Sequence, residues 1–110
     1  PLYSEYLAGV DFIQQYVFPG GHLPSLGALV DSVLRATTFS FDHLENLPQH
    51  YARTLRHWRD RFTANEPALR ELALSDESLR LWHYYFAYSE GAFAEHHLGL
   101  VQILLTKRVL

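Results

Sequence analysis

The sequence contains no cysteine, so disulfides, thiolate metal sites and a cysteine nucleophile are excluded. The lack of cysteine leaves the compartment open, although a reducing cytosol is the simplest expectation. Basic residues are few as well: nine Lys and Arg and a formal net charge of −3 argue against a surface that binds nucleic acid. No apolar run approaches the roughly 20 residues that a helix needs to span a bilayer.

Aromatic residues, in contrast, are abundant. Seven Tyr, seven Phe and two Trp make up 15% of the 110 residues, within an otherwise ordinary mix of 48% apolar and 19% charged residues. That mix is typical of a folded globular chain, and the length fits one unit over residues 1–110. The aromatic content suits either a bulky core or a pocket for an apolar ligand, and it does not choose between them.

Apolar residues recur at helical spacing through most of the chain and predict four to five helices. The first is predicted over residues 4–17. It ends at the FPGG run of residues 18–21, because proline cannot continue a helix and glycine permits positive φ. The second begins at Ser25, whose hydroxyl is a typical N-terminal cap, and Pro48 starts the third. A short helix opens at residues 65–67, and Ser75 caps a long last helix.

Two of these helices carry well-defined apolar stripes, which are expected to pack against other parts of the fold. The stripe on the third helix consists of Tyr51, Leu55, Trp58 and Phe62, and that on the last helix consists of Leu79, Trp82, Phe86, Ser89 and Phe93.

Two strands complete a mostly helical α+β prediction. Residues 38–44 alternate apolar and polar, which indicates a strand with one face buried, whereas residues 100–105 are apolar on both faces. A strand of the second kind belongs in a sheet that is covered on both sides. Because two strands alone are marginally stable, we expect this chain to be a piece of a larger fold.

Histidine and arginine residues on the third helix offer candidate polar sites. His50 and His57 are seven residues apart, about 10 Å along a helix, so they cannot share one metal ion. His57 and Asp60 have a chelating spacing, but no third ligand is evident, and surface histidines with no metal are the favoured interpretation. A basic cluster, consisting of Arg53, Arg56, Arg59 and Arg61, suits either phosphate groups of lipids or a solvated helix face.

Tyr51 lies near the N-terminal turn of the third helix, at the head of its apolar stripe. Backbone N–H groups and the helix dipole favour an anion at such a position, and a tyrosine hydroxyl there is able to donate a hydrogen bond to it. A core tyrosine is the alternative interpretation, and spacing alone does not exclude it.

Three stretches together resemble one protein family. They are YVFPGGHLPS at residues 16–25, HYARTLRHW at 50–58 and YYFAYSEGAF at 84–93, the last followed by Val101 and Gln102. In combination they are similar to the C-terminal third of the cyclopropane-fatty-acyl-phospholipid synthase family, which includes the mycolic acid cyclopropane synthases. The resemblance covers nearly the whole chain.

The resemblance implies an S-adenosylmethionine-dependent methyltransferase with a Rossmann-like sheet, of which the two strands form the C-terminal antiparallel edge pair. Such enzymes methylate a cis double bond of a lipid acyl chain, and bound bicarbonate removes the proton that lets the ring close. Tyr51 matches the family tyrosine that holds bicarbonate, and Ser89 replaces a cysteine that is frequent at its position. The positions that match the acyl-pocket lining are Phe18, Leu23, Leu55, Ser89 and Phe93.

The glycine-rich cofactor loop, the acid that holds the ribose and the Glu and His that share bicarbonate all precede this region in the family. We therefore expect the segment to be inactive alone and to need an N-terminal methyltransferase half as its partner. A phospholipid acyl chain and the inner face of the membrane are the other expected partners. The sequence does not decide whether the chain forms a homo-oligomer. Two alternatives remain: a stand-alone lipid- or protein-binding domain derived from that family, and a structural α+β domain whose pocket is only core.

Overall fold

A computed structural model describes residues 2–109 and divides them into two units. The first unit contains the residues up to His43 together with those from Ile103 onwards, and the second runs from Leu44 to Gln102. Within residues 2–109 the helices are α1 (Leu2–Ala8), a π-helix (Ile13–Val17), α2 (Leu26–Ala36), α3 (Pro48–Ala64), α4 (Glu66–Glu71) and α5 (Asp76–Ala94), and the strands are β1 (Phe39–Asn46) and β2 (Val101–Lys107).

The α+β prediction is confirmed, because 61% of the described residues are helical and the two strands among them form an antiparallel sheet. The described residues form six helices rather than four to five, since the predicted helix over 4–17 is divided into α1 and the π-helix. The division has a local cause. Asp11 and Gln14 make the reciprocal hydrogen bonds of a capping box, with the Gln14 N–H donating to Asp11 Oδ1 (2.9 Å) and the Asp11 N–H to Gln14 Oε1 (3.0 Å). A new helical segment therefore starts where the apolar spacing alone predicts continuity.

The FPGG run ends this helical region, as predicted. Gly21 donates its N–H to the carbonyl of Phe18 (2.9 Å), which closes a tight turn with Pro19 and Gly20 at its two central positions. Gly20 has φ of 76°, a conformation that glycine adopts without strain. A Cβ on Gly21 would lie 2.9 Å from the Phe18 carbonyl oxygen, so both glycines are required by the turn.

The predicted cap of α2 is also confirmed, because the Ser25 hydroxyl accepts a hydrogen bond from the Ala28 N–H (3.1 Å). Replacing Ser25 with Ala is expected to lower the free energy of unfolding by about 1 kcal/mol, since that N–H loses its partner. Urea denaturation followed by circular dichroism measures the change. Ser32→Ala is the matched control, because Ser32 is exposed inside the same helix and alanine is the better helix former. Equal losses in both variants would contradict the capping role.

The sheet is held by side chains as well as by its main chain. The Thr106 hydroxyl donates to the Asp42 carboxylate, and Arg108 Nη2 donates to the Ser40 hydroxyl (3.5 Å). Of the alternating residues of β1 predicted to be buried, Phe41 is half-buried, whereas Phe39 and His43 are exposed.

Strand β2 alternates in its exposure. Val101, Ile103 and Leu105 are half-buried, whereas Leu104 between them is exposed. The covering that the apolar sequence predicts for both faces of β2 is therefore not supplied by residues 2–109.

The core of the second unit lies where α3 packs against α5. Its buried apolar residues are Ala52 and Leu55 on α3 and Leu79 and Phe86 on α5. Pro48 occupies the start of α3, and the Ser75 hydroxyl accepts from the Ser78 N–H (3.1 Å) at the start of α5, so both predicted helix starts are confirmed. This packing brings the two predicted apolar stripes together.

Candidate functional site

Tyr51 lies in the first turn of α3, and its ring packs on the aromatic side chains beside it. The Tyr51 and Phe93 ring centroids are 4.7 Å apart with the planes at 81°, and the Trp58 ring contacts Tyr51 edge to face at 5.8 Å. Such edge-to-face pairs are favourable beyond the area that they bury. Tyr51, for which the resemblance implies bicarbonate binding, and Phe93, for which it implies acyl-chain binding, are 42 positions apart in sequence and in contact in the structure.

A second tyrosine, Tyr85, lies close to Tyr51 and hydrogen-bonds to Ser89. Burial raises the pKa of the Tyr85 phenol above its usual value, electrostatic interaction with Tyr51 raises it further, and the hydrogen bond with Ser89 partly offsets both. Tyr85 therefore stays protonated at neutral pH and is able to act as a donor. The region between α3 and α5 thus combines hydroxyl groups with aromatic rings.

The remaining predicted residues of this unit are more deeply buried. Leu55 is 0% exposed and Ser89 is 4% exposed, so both belong to the packed core of the second unit. Phe93 and Tyr51 are half-buried. Among the predicted site residues of the second unit, Tyr51 and Phe93 have the accessible surface.

Phe18 and Leu23 lie in the first unit, on either side of the Gly20–Gly21 turn. Both side chains are about half exposed, at 49% and 51%.

Glu90 is a residue that the sequence pattern alone does not single out. Its side chain is 12% exposed and lies between two members of the basic cluster: Arg56 Nε donates to Oε1 (2.8 Å), and Arg59 Nη2 lies 3.4 Å from Oε2. Arg56 and Arg59 therefore have a carboxylate partner, which weakens the interpretation of the whole cluster as a phosphate site. The partner on α5 is 34 residues from Arg56 and has no local signal in the sequence.

Histidine does not form a metal centre in the part of the chain that is described. Among residues 2–109 no three His, Asp or Glu side chains are grouped closely enough to hold a metal ion. His50 and His57 are exposed on α3, which agrees with their interpretation as surface residues, and His83 instead pairs with Glu66. Within the same residues, no helix has the length and apolar character required to cross a membrane.

Comparison with known proteins identifies the family of this chain. Residues 3–103 match the family model of mycolic acid cyclopropane synthetase. Tuberculostearic acid methyltransferase UfaA1 of Mycobacterium tuberculosis H37Rv is 38% identical over 87% of this chain and 22% of its own length. The S-adenosylmethionine-dependent methyltransferase UmaA of the same strain is 35% identical over 87% of the chain and 33% of its own length.

A third relative is cyclopropane mycolic acid synthase 1 of Mycobacterium tuberculosis CDC 1551, which is 28% identical over 94% of the chain and 34% of its own length. The chain thus spans between about a fifth and a third of the length of these curated relatives. Since the family model matches nearly the whole chain, the chain belongs to the mycolic acid cyclopropane synthetase family.

Proposed function

We propose that this chain is the C-terminal, substrate-covering segment of an S-adenosylmethionine-dependent methyltransferase that modifies the cis double bond of a lipid acyl chain. Family membership over residues 3–103 supports a lipid methyltransferase, as do relatives named for methyl transfer and for cyclopropane synthesis. The share of each relative that the chain spans supports a partner segment that carries the cofactor loop.

The observation that carries the proposal is the contact of the Tyr51 ring with Phe93, beside Tyr85 and Ser89. A bicarbonate ion fits this donor set, because the Tyr51 and Tyr85 hydroxyls are hydrogen-bond donors and the bicarbonate oxygens are acceptors. Tyr51 would hold the anion through a hydrogen bond from its hydroxyl. When bound, S-adenosylmethionine supplies the methyl group and bicarbonate takes up the proton that is lost from the acyl chain.

The wall that faces the acyl chain is proposed to consist of apolar side chains, with Ser89 as its polar member. The Phe93 ring is accessible and contacts Tyr51. Leu55 of α3 is fully buried in the core of the second unit. Methyl transfer to a double bond produces positive charge on the acyl chain. The face of an aromatic ring such as Phe93 attracts a cation and would therefore stabilise that charge. Within the second unit, the residues proposed for this wall are Ser89 and Phe93, with Leu55 packed in the core. Within the first unit, Phe18 and Leu23 are the proposed contacts with the acyl chain.

We further propose that the intact protein is cytoplasmic and acts at the inner face of the membrane, where phospholipid acyl chains are supplied. In this arrangement β1 and β2 form the antiparallel edge of the larger sheet, which would cover the exposed Leu104.

The proposal is tested by methyl transfer to phospholipid vesicles. The intact protein should move labelled methyl from S-adenosylmethionine to vesicles with cis-monounsaturated chains and not to vesicles with saturated chains, whereas residues 1–110 alone should do neither. Gas chromatography of the released fatty acids identifies a cyclopropane or a methyl-branched product.

Two results would contradict it. Binding of S-adenosylmethionine to residues 1–110 in a calorimeter would show that the cofactor site does not need another segment. An intact protein that binds phospholipid but transfers no methyl group would favour a non-catalytic lipid-binding domain instead.

A further inference from the structure

The loop over residues 19–24 joins the first helical region to α2 and forms neither a helix nor a strand. Two of its residues are glycines, and Pro19 and Pro24 lack the N–H group that would let them join a ladder or a helix. Yet this loop carries Leu23, which the proposed function places in the acyl-pocket wall. Its position therefore depends on restraints from outside the loop.

Tyr6 on α1 supplies the first restraint. Its phenol oxygen accepts a short hydrogen bond from the Leu23 backbone N–H (2.7 Å) and a second from Gln14 Nε2 (3.2 Å). Its ring lies 5.4 Å from the ring of His22, the residue between Gly21 and Leu23. One side chain thus contacts the backbone of Leu23 and the side chain that precedes it.

Gln14 supplies the second restraint, and both polar atoms of its side chain have hydrogen-bond partners. Its Nε2 donates both to Tyr6 and to the Gly21 carbonyl (3.1 Å), while Oε1 and the backbone N–H are held by Asp11. This network settles which end of the amide is the donor. Gln14 therefore ties the end of the tight turn to the same phenol that holds Leu23.

We propose that Tyr6 and Gln14 are positioning residues for the acyl substrate: together they hold Leu23 at the place where it contacts the lipid chain. Tyr6 and Gln14 are called the Leu23 clamp. This inference rests on the proposed function, because it assigns the clamp a role in substrate binding. All the groups of this network lie in the first unit, so it does not depend on the second. Leu23 would bind the substrate and the transition state equally well. Loss of the clamp should therefore raise KM and leave kcat nearly unchanged.

The test replaces Tyr6 with Phe in the intact protein, which removes only the oxygen. Amide hydrogen exchange at Leu23 should accelerate by roughly three- to tenfold, the effect of losing one hydrogen bond. KM for cis-monounsaturated phospholipid should rise by roughly the same factor, while kcat changes less than about twofold. Tyr16→Phe is the matched control, because Tyr16 is an exposed tyrosine of the same unit, and it should change neither quantity.

Gln14→Glu is a second variant, for the case in which Tyr6→Phe does not fold. The glutamate keeps an oxygen that accepts from the Asp11 N–H. In place of the amide donor it puts a second oxygen next to the Gly21 carbonyl oxygen, and the two repel each other. Gln14→Glu should therefore also raise the Leu23 exchange rate and KM. Unchanged exchange at Leu23 in both variants would overturn the clamp. Faster exchange with unchanged KM would overturn its role in substrate binding. Absence of methyl transfer by the unmutated protein would instead overturn the proposed function, so the two failures are distinguishable.

Discussion

Replacement of Leu55 by Ala should lower the free energy of unfolding by about 3–5 kcal/mol, the upper range for such a change in a packed core. Leu55 is 0% exposed and lies on the face of α3 that packs against α5, so the loss of its side chain leaves a cavity as well as unburied apolar surface. Urea denaturation of the intact protein, followed by circular dichroism, measures the loss.

The control is Leu72→Ala, the same chemical change at a side chain that is 73% exposed in the same unit. That variant should change the free energy of unfolding by less than about 0.5 kcal/mol. A similar small effect at Leu55, combined with weaker binding of phospholipid, would show that Leu55 serves the pocket rather than the core.

Tyr51→Phe should reduce turnover by the intact protein about ten- to hundredfold with little change in stability. The substitution keeps the ring that packs on Phe93 but removes the hydroxyl proposed to hold bicarbonate. A hydrogen bond to a charged group contributes about 1.5–3 kcal/mol, which corresponds to that range of rates. Initial rates of methyl transfer at limiting and at saturating bicarbonate measure the effect.

Excess bicarbonate should restore part of the lost rate, because the weakened site is filled by mass action. Tyr84→Phe is the control, an exposed tyrosine of α5 whose hydroxyl is outside the proposed site. Equal turnover by Tyr51→Phe and the unmutated protein at limiting bicarbonate would remove Tyr51 from the mechanism.

Helix starts were predictable because their signals are local. The Ser25 and Ser75 hydroxyls each accept a hydrogen bond from an N–H three residues ahead. Pro48 has no N–H group, and at the start of α3 such a group would have no partner within the helix. The turn after residue 17 is equally local, since Gly20 has the positive φ that its residue type permits. In these places residue type and spacing are sufficient.

Other features were not predictable from spacing because they depend on competition or on distant partners. Periodicity favours one helix over 4–17, but side-chain bonds between Asp11 and Gln14 start a new segment there. The link from Glu90 to Arg56 joins two helices 34 residues apart, and no periodicity specifies it. Helical stripes predict that Tyr51 and Phe93 face the interior, but they do not specify that the two rings are in contact.

The two-stranded sheet has a consequence for handling residues 1–110 in solution. Within residues 2–109 each strand pairs with a single neighbouring strand, so β1 and β2 are both edge strands, and Leu104 of β2 is exposed. Such edges template the addition of strands from other molecules. We expect concentrated samples of this segment to self-associate through intermolecular strand pairing, and Leu104→Lys to raise the concentration at which aggregates form.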